Sequence, residues 1–266
     1  MKGRVLIAAG SDSGGGAGIQ ADIKAVTALG GYAATAITAL TAQNTQGVFG
    51  VLGVAPDFIQ QQMRLVLDDI GADAIKTGML ADVPTIDAVC DVLMEYADVP
   101  LVADPVMVAQ SGDPLLEAGA VETLTRRLLP RAALLTPNLP EAEALLGRKI
   151  EDVAAMQAAA RDILGLGPQA VLLKGGHGGG STLTDILATA DSSEVFESPR
   201  IETQNNHGTG CTLASAIACG LAQGLSLRDA VVRARTYVQA AIRGAPGFGK
   251  GNGPLGHMAG ARPFGT

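Results

Sequence analysis

The sequence has no tryptophan, and aromatic residues make up only 3% of it, so large rings cannot build its interior. Alanine, valine, leucine and isoleucine must do so, which suits buried parallel strands covered by helices. A basic excess is also missing. The formal charge is -7 and the isoelectric point about 4.9, which argues against a nucleic-acid partner. Charged residues are scarce as well, at 17% against 47% hydrophobic, too few for a disordered chain. Disulfide spacing is lacking: Cys90, Cys211 and Cys219 form an odd, irregular set, as expected of reduced thiols in a cytoplasm. No apolar run is long enough to cross a bilayer, so no membrane partner is expected. The five apolar residues Val5 to Ala9 read as a first strand rather than a signal peptide. At 266 residues the chain is near the upper size for one core, so a single domain over 1–266 is expected.

What the sequence does contain centres on Asn206-His207-Gly208-Thr209-Gly210-Cys211-Thr212 and the small-residue run after it. Glycines permit a tight turn that presents backbone N–H groups. A helix start adds unpaired N–H groups and the positive end of its dipole. The segment therefore predicts an anion cradle, with Cys211 in the first turn, where the dipole is expected to depress the thiol pKa.

Along the chain, β-type runs alternate with helical ones. Val5–Ala9 leads through a glycine-rich loop, 10–18, into a helix with Ile19, Ile23, Val26 and Leu29 on one face. Strands are predicted at 33–40, 72–77, 100–107, 132–136 and 170–173, and a short edge strand at 48–54. Helices are predicted from Pro56, from a cap at Asp82 to Tyr96, and over 117–129, 153–164 and 226–243. Two polar β runs, 182–188 and 195–201, read as a hairpin at a sheet edge. The Gly/Pro-rich tail, 244–266, is expected to be partly mobile. This is an α/β pattern: a mostly parallel central sheet with helices on both faces. Ligands of such sheets collect at the carboxyl ends of strands. The polar residues fall there: Asp12, Gln43, Met79, Asp104, Asn138 with Glu141, and Lys174.

Taken together and in order, these segments resemble the hydroxymethylpyrimidine/phosphomethylpyrimidine kinases of thiamine synthesis, within the ribokinase-like superfamily. The resemblance rests on Gly10-Ser11-Asp12 with Gly15 to Asp22, Thr38 to Thr45, Gly78-Met79-Leu80-Ala81 and Asp104-Pro105-Val106-Met107 with Ser111-Gly112. It continues through Thr136 to Glu141, Leu173 to His177, His207 to Thr212 and Gly249 to Pro254. Ser13-Gly14 stands where the family usually has Pro-Ser, so a more mobile first loop is expected. The run Gly178-Gly179-Gly180 is shorter than the family's.

The resemblance implies a ribokinase-like kinase that uses ATP and Mg2+. It would phosphorylate 4-amino-5-hydroxymethyl-2-methylpyrimidine and then its monophosphate, and would act as a cytoplasmic homodimer. It implies Gln43, Asp22, Met79, Val106 and Gly10 against the pyrimidine. Gln43 suits this because its amide can pair with an aminopyrimidine edge. Lys174, Thr209 and Asn138 would serve the nucleotide, and Asp104 and Glu141 the metal, largely through water. Gly208, Thr209, Gly210, Lys174 and Cys211 would carry the transfer, with Cys211 as a base or as a hydrogen-bond partner of the alcohol. Valine at Gly208 or Gly210 is expected to stop transfer and spare pyrimidine binding. His177 and His207 are expected to be loop residues without a metal role, and Cys90 and Cys219 buried apolar residues. A pyridoxal or dual-specificity kinase of the same superfamily is the nearest alternative. The first glycine loop also admits a dinucleotide-dependent oxidoreductase, although its spacing is poor. A ligand sensor that kept the fold is a third reading.

Overall fold

The computed structural model describes residues 2–109, 112, 115–117, 119–176 and 180–261. Its named strands form one nine-stranded sheet. They are β1 (Arg4–Asp12), β2 (Tyr32–Asn44), β3 (Gly47–Gly53), β4 (Ala74–Thr77), β5 (Leu101–Ala103), β6 (Leu134–Leu135), β7 (Ala170–Lys174), β8 (Thr182–Thr189) and β9 (Ser193–Pro199). The spatial order is β3-β2-β1-β4-β5-β6-β7-β8-β9. From β2 to β7 the neighbours are parallel, while β3 and the β8–β9 hairpin add antiparallel edges. The expected edge hairpin is there, and β3 closes the opposite edge. Central strands such as β1 are apolar on both faces because helices cover both.

One face carries α1 (Gly18–Ala28), α7 (Thr209–Ala222) and α8 (Leu227–Arg243). The other carries α2 (Pro56–Asp69), α3 (Val83–Glu95), the short α4 (Ala120–Thr123), α5 (Leu139–Leu146) and α6 (Val153–Leu164). Small residues let α7 lie deep: a Cβ on Gly220 would come within 2.7 Å of the Ala230 Cβ on α8. Asp82 caps α3 as expected, its carboxylate accepting from Thr85 N at 2.8 Å. Cys90 and Cys219 are buried, as the sequence implied.

Several elements differ from the sequence expectation. The helix over 117–129 is broken into α4, a π-type turn over Leu124–Leu128 and a 3-10 turn over Leu129–Arg131. Pro130 accounts for its end, since it has no N–H to continue the ladder. β5 stops at Ala103, two residues before Pro105, for the same reason. On α1 the inward positions are Ile19, Asp22, Ala25 and Val26, while Ile23 is exposed. A charged residue takes the buried position because it has fixed partners there, described below.

The tail also departs from the expectation of mobility. Asn252 N donates to Thr45 O (2.8 Å), His207 N to Gly253 O (3.1 Å) and Gly256 N to Ala241 O (2.9 Å). Residues 262–266 lie outside the described chain. Buried His257 is in hydrogen-bond contact with Thr212 Oγ1 at 3.0 Å, and its own carbonyl accepts from Tyr237 OH. Burial pushes the His257 imidazole down to about 4, from an ordinary 6.5. Between those values the unfolded chain binds the extra proton and the folded chain does not. Stability should therefore fall as pH drops from 6.5 to 4, by about 3 kcal/mol from this group. Urea unfolding of His257→Gln across that range should lose this part of the slope. An unchanged slope would remove the assignment.

Candidate active site

Because β1, β2 and β4 to β7 run parallel, their carboxyl ends lie on one side of the sheet. There they open into a cavity of about 350 Å³. Of the sequence-predicted residues, Gly10, Gln43, Met79, Asp104, Val106, Asn138, Glu141, Lys174, Gly208, Thr209, Gly210 and Cys211 all line it. Asp22 does not. It is fully buried behind the wall, with its carboxylate 2.9 and 3.0 Å from Lys76 Nζ and 2.7 Å from Ser215 Oγ. The expected contact of Asp22 with a substrate is corrected by this: the carboxylate is enclosed with Lys76 and Ser215, and Lys76 rather than Asp22 lines the cavity. Strand periodicity gives no signal for Lys76, which sits in a fully buried strand where an apolar residue belongs.

The cradle forms where α7 begins. Gly208 has φ 82°, and a Cβ there would sit 1.9 Å from Gly16 O, so only glycine fits. At Gly210 a Cβ would meet Lys174 Nζ at 3.3 Å and Asp104 Oδ2 at 3.6 Å. The cradle, the lysine and the acid therefore share one small space. Thr209 N and Thr212 N bond to Asn206 O and Gly208 O, while the N–H groups of Gly210 and Cys211 belong to the first turn, which has no intrahelical partners. The Cys211 thiol does not follow the sequence expectation. Burial pushes it up to about 11, against the pull of the Lys76 ammonium. At neutral pH it is protonated, because desolvation outweighs the helix dipole.

Opposite charges are paired around the cradle. Lys174 Nζ bonds Asp104 Oδ1 at 3.0 Å, and Thr136 Oγ1 donates to the same oxygen at 2.9 Å. Burial alone would raise the Asp104 carboxyl, but Lys174 and Lys76 bring it below its ordinary range. Glu141 goes the other way. Burial, with Asp104 nearby, pushes it up to about 7 despite Lys174. Its Oε2 accepts from Asn138 N while Asn138 Oδ1 accepts from Glu141 N, a capping box that starts α5. The helix-start role of Glu141 and its place in the cavity therefore coexist. Among the described residues no cluster of three or more His, Cys, Asp or Glu could enclose a metal.

Sequence reading missed His207. It is buried, with Nε2 2.9 Å from Asp12 Oδ2 and 3.4 Å from Gln43 Nε2. Asp12 also accepts from Gly14 N (2.7 Å), Gly16 N (3.0 Å) and Ala17 N (2.8 Å). Burial opposes its charge, but the His207 bond and these N–H groups hold its pKa below the ordinary value. The first loop is thus clamped on Asp12, in place of the mobility expected from Ser13-Gly14. An aspartate before spaced glycines is a local signal for such a turn. A histidine 195 residues away gives none. His177 lies outside the described residues.

The cavity extends toward Ile201, Leu213, Val238 and Ile242, which give it an apolar wall. Beside it, Asp185 accepts from Gly175 N at 3.0 Å and from Arg235 Nε at 2.8 Å, which fixes the turn after Lys174.

A profile of the phosphomethylpyrimidine kinase family matches residues 12–256. The thiamine biosynthesis bifunctional protein of Geobacter sulfurreducens is 53% identical over 98% of this chain, and the chain spans about half of it, 53%. The hydroxymethylpyrimidine/phosphomethylpyrimidine kinase of Streptomyces coelicolor is 45% identical, with 95% of this chain and 93% of that protein covered. Among solved structures, an ADP complex of Bacillus subtilis pyridoxal kinase superposes with a TM-score of 0.90 at 35% identity, covering 97% of this chain and 98% of that one. The fold is therefore ribokinase-like and the chain is a kinase. By sequence, it belongs to the phosphomethylpyrimidine kinase family.

Proposed function

We propose that this cavity transfers the γ-phosphoryl group of ATP to the hydroxymethyl oxygen of 4-amino-5-hydroxymethyl-2-methylpyrimidine. In a second turn it would phosphorylate the resulting monophosphate to the diphosphate. The observation that carries this reading is the convergence of Gln43, Cys211, Gly210 and Lys174 on one cavity. It joins an amide suited to an aminopyrimidine to an anion cradle with a buried ammonium. Phosphoryl transfer needs alignment and charge neutralisation more than covalent chemistry. Lys174 and the N–H groups of Gly210 and Cys211 would receive the transferring group. Gly10 and Met79 would bound the ring, with Val106 beside it, and Thr209 and Asn138 would meet the nucleotide phosphates.

Mg2+ suits the donors present. Asp104 Oδ2 and the Glu141 carboxyl are hard oxygen donors, and this ion needs only one or two carboxylates beside phosphate and water. When bound, it would neutralise phosphate charge. Burial pushes the Glu141 carboxyl up to about 7, so near neutral pH it would release its proton to solvent readily as a cation takes its place.

A protonated Cys211 cannot take a proton at neutral pH, so its role here is to hold the alcohol by hydrogen bond. Cys211→Ser should keep the first transfer within about tenfold, while Cys211→Val, which has no polar hydrogen, should lower it about 100-fold. Single-turnover rates test this, and equal losses in the two variants would restore the base role.

The whole chain would act as one catalytic unit, in the cytoplasm, where Cys90, Cys211 and Cys219 stay free. It would pair as a homodimer through the β2–β3 edge, whose Phe49 and Leu52 are 73% and 66% exposed. Sedimentation of Phe49→Asp with Leu52→Asp should then report a monomer. A wild-type monomer would refute the pairing. One observation favours a second reading: the pyridoxal kinase likeness extends over the whole fold. A coupled ADP-release assay with the pyrimidine, its monophosphate and pyridoxal decides. Turnover of both pyrimidines above pyridoxal is expected, and preference for pyridoxal would overturn the proposal.

A further inference from the structure

The hydrogen bonds around Gln43 can be settled by counting protons. The Asp12 carboxylate accepts three backbone N–H groups, so its contact with His207 Nε2 at 2.9 Å requires a proton on that nitrogen. The Gln43 amide nitrogen, 3.4 Å from the same Nε2, then sets donor against donor. On the other side the Thr41 hydroxyl faces Gln43 Oε1 at 3.1 Å, yet its one proton also serves Ser11 O at 2.9 Å. A half-turn of the amide leaves its outline unchanged and resolves both conflicts. The carbonyl then takes the longer arm of a shared bond, His207 Nε2–H lying 2.9 Å from Asp12 and 3.4 Å from Gln43, and the amide NH2 donates to Thr41 Oγ1, whose own proton stays with Ser11 O.

We infer that His207, held by Asp12, acts with Thr41 to lock the Gln43 amide in one polarity, and so decides which heterocycle the cavity accepts. This rests on the function proposed above and adds two positioning residues to it. The open edge of the locked amide presents its acceptor on the His207 side and its donor on the Thr41 side. A ring with an exocyclic amino donor beside a ring-nitrogen acceptor matches that edge when the amino group lies toward His207. The 4-oxo analogue carries the reverse pattern, a ring N–H donor beside a carbonyl acceptor. It can pair with the locked edge only when turned over, which carries its hydroxymethyl group away from the cradle side, and in the orientation of the amino compound it is rejected because the amide cannot turn. The lock also ties ring recognition to the cradle, since His207 is the residue immediately before Gly208.

Calorimetric binding of the 4-amino pyrimidine and its 4-oxo analogue, without nucleotide, tests the lock. Wild type should prefer the amino compound by about 100-fold. In His207→Leu, which has no donor, the preference should drop below about tenfold as the amide turns freely. His207→Gln restores a donor at nearly the same reach and should recover most of it. Thr41→Val releases the amide from the other side and should lower the preference at least about threefold, which decides the matter even if His207→Leu fails to fold. A merely structural role would weaken both ligands alike and leave the ratio unchanged. If wild type binds and phosphorylates the aminopyrimidine but the ratio survives in both His207→Leu and Thr41→Val, the lock is wrong and the kinase reading stands. If wild type neither binds nor phosphorylates it, the function reading falls and takes the lock with it.

Discussion

Lys174→Met should lower kcat for both phosphoryl transfers by about 1000-fold, while changing pyrimidine binding no more than about threefold. The methionine keeps most of the buried stem and removes only the charge. That charge sits at the end of β7, 3.0 Å from Asp104 and beside the space a Cβ on Gly210 would fill. Both transfers are affected because both move the same γ-phosphoryl group, whatever oxygen attacks it. The substitution also leaves Asp104 with Thr136 and Lys76 as its remaining support, so its carboxyl should titrate higher and the fold should lose about 3 kcal/mol. Rapid-quench single turnovers with each acceptor, set beside calorimetry and a thermal melt, separate these effects. A kcat within tenfold of wild type would show that the ammonium is not where charge develops.

The cradle should be as sensitive, and the two glycines should fail differently. Gly210 lies in α7, and an added side chain there would meet the side-chain ends of Lys174 and Asp104 rather than backbone. Gly210→Val should therefore fold, bind pyrimidine and lose more than about 100-fold in transfer, since its methyl groups occupy the place of the phosphoryl oxygens. Gly208 is another matter. Even alanine there would be driven against Gly16 O in a backbone conformation that favours glycine. The first loop must then move, and pyrimidine binding should be lost together with transfer. The sequence expectation that Gly208→Val spares binding is corrected on this point. Calorimetry on both variants checks it, and a Gly208→Ala protein that binds pyrimidine normally would mean that the two loops are not packed as described.

Fold class and the whereabouts of the site were legible in the residues. Apolar runs such as Val5–Ala9, each followed by an amphipathic helical stretch, leave few topologies open, and a parallel sheet puts its ligands at strand ends. Gln43, Asp104, Lys174 and the cradle could thus be assigned to one place from their positions alone. A local signal did equally well for a cap: Asp82 stands where a short-range hydrogen bond requires it. Pairings between distant segments were not legible. Nothing near Asp22 announces Lys76, 54 residues on, and so the aspartate was read as a substrate contact instead of half of a buried ion pair. The Cys211 thiol went astray for a related reason. A helix start favours the thiolate, but burial disfavours it more strongly, and burial is a property of everything packed around a residue rather than of its neighbours in the chain. The tail shows the same division, since its glycines read as slack until the strand end at Thr45 and the start of the cradle at His207 supply partners for its backbone. Short-range order follows from side-chain chemistry and backbone geometry, whereas desolvation and long-range hydrogen bonds exist only once the chain has closed on itself.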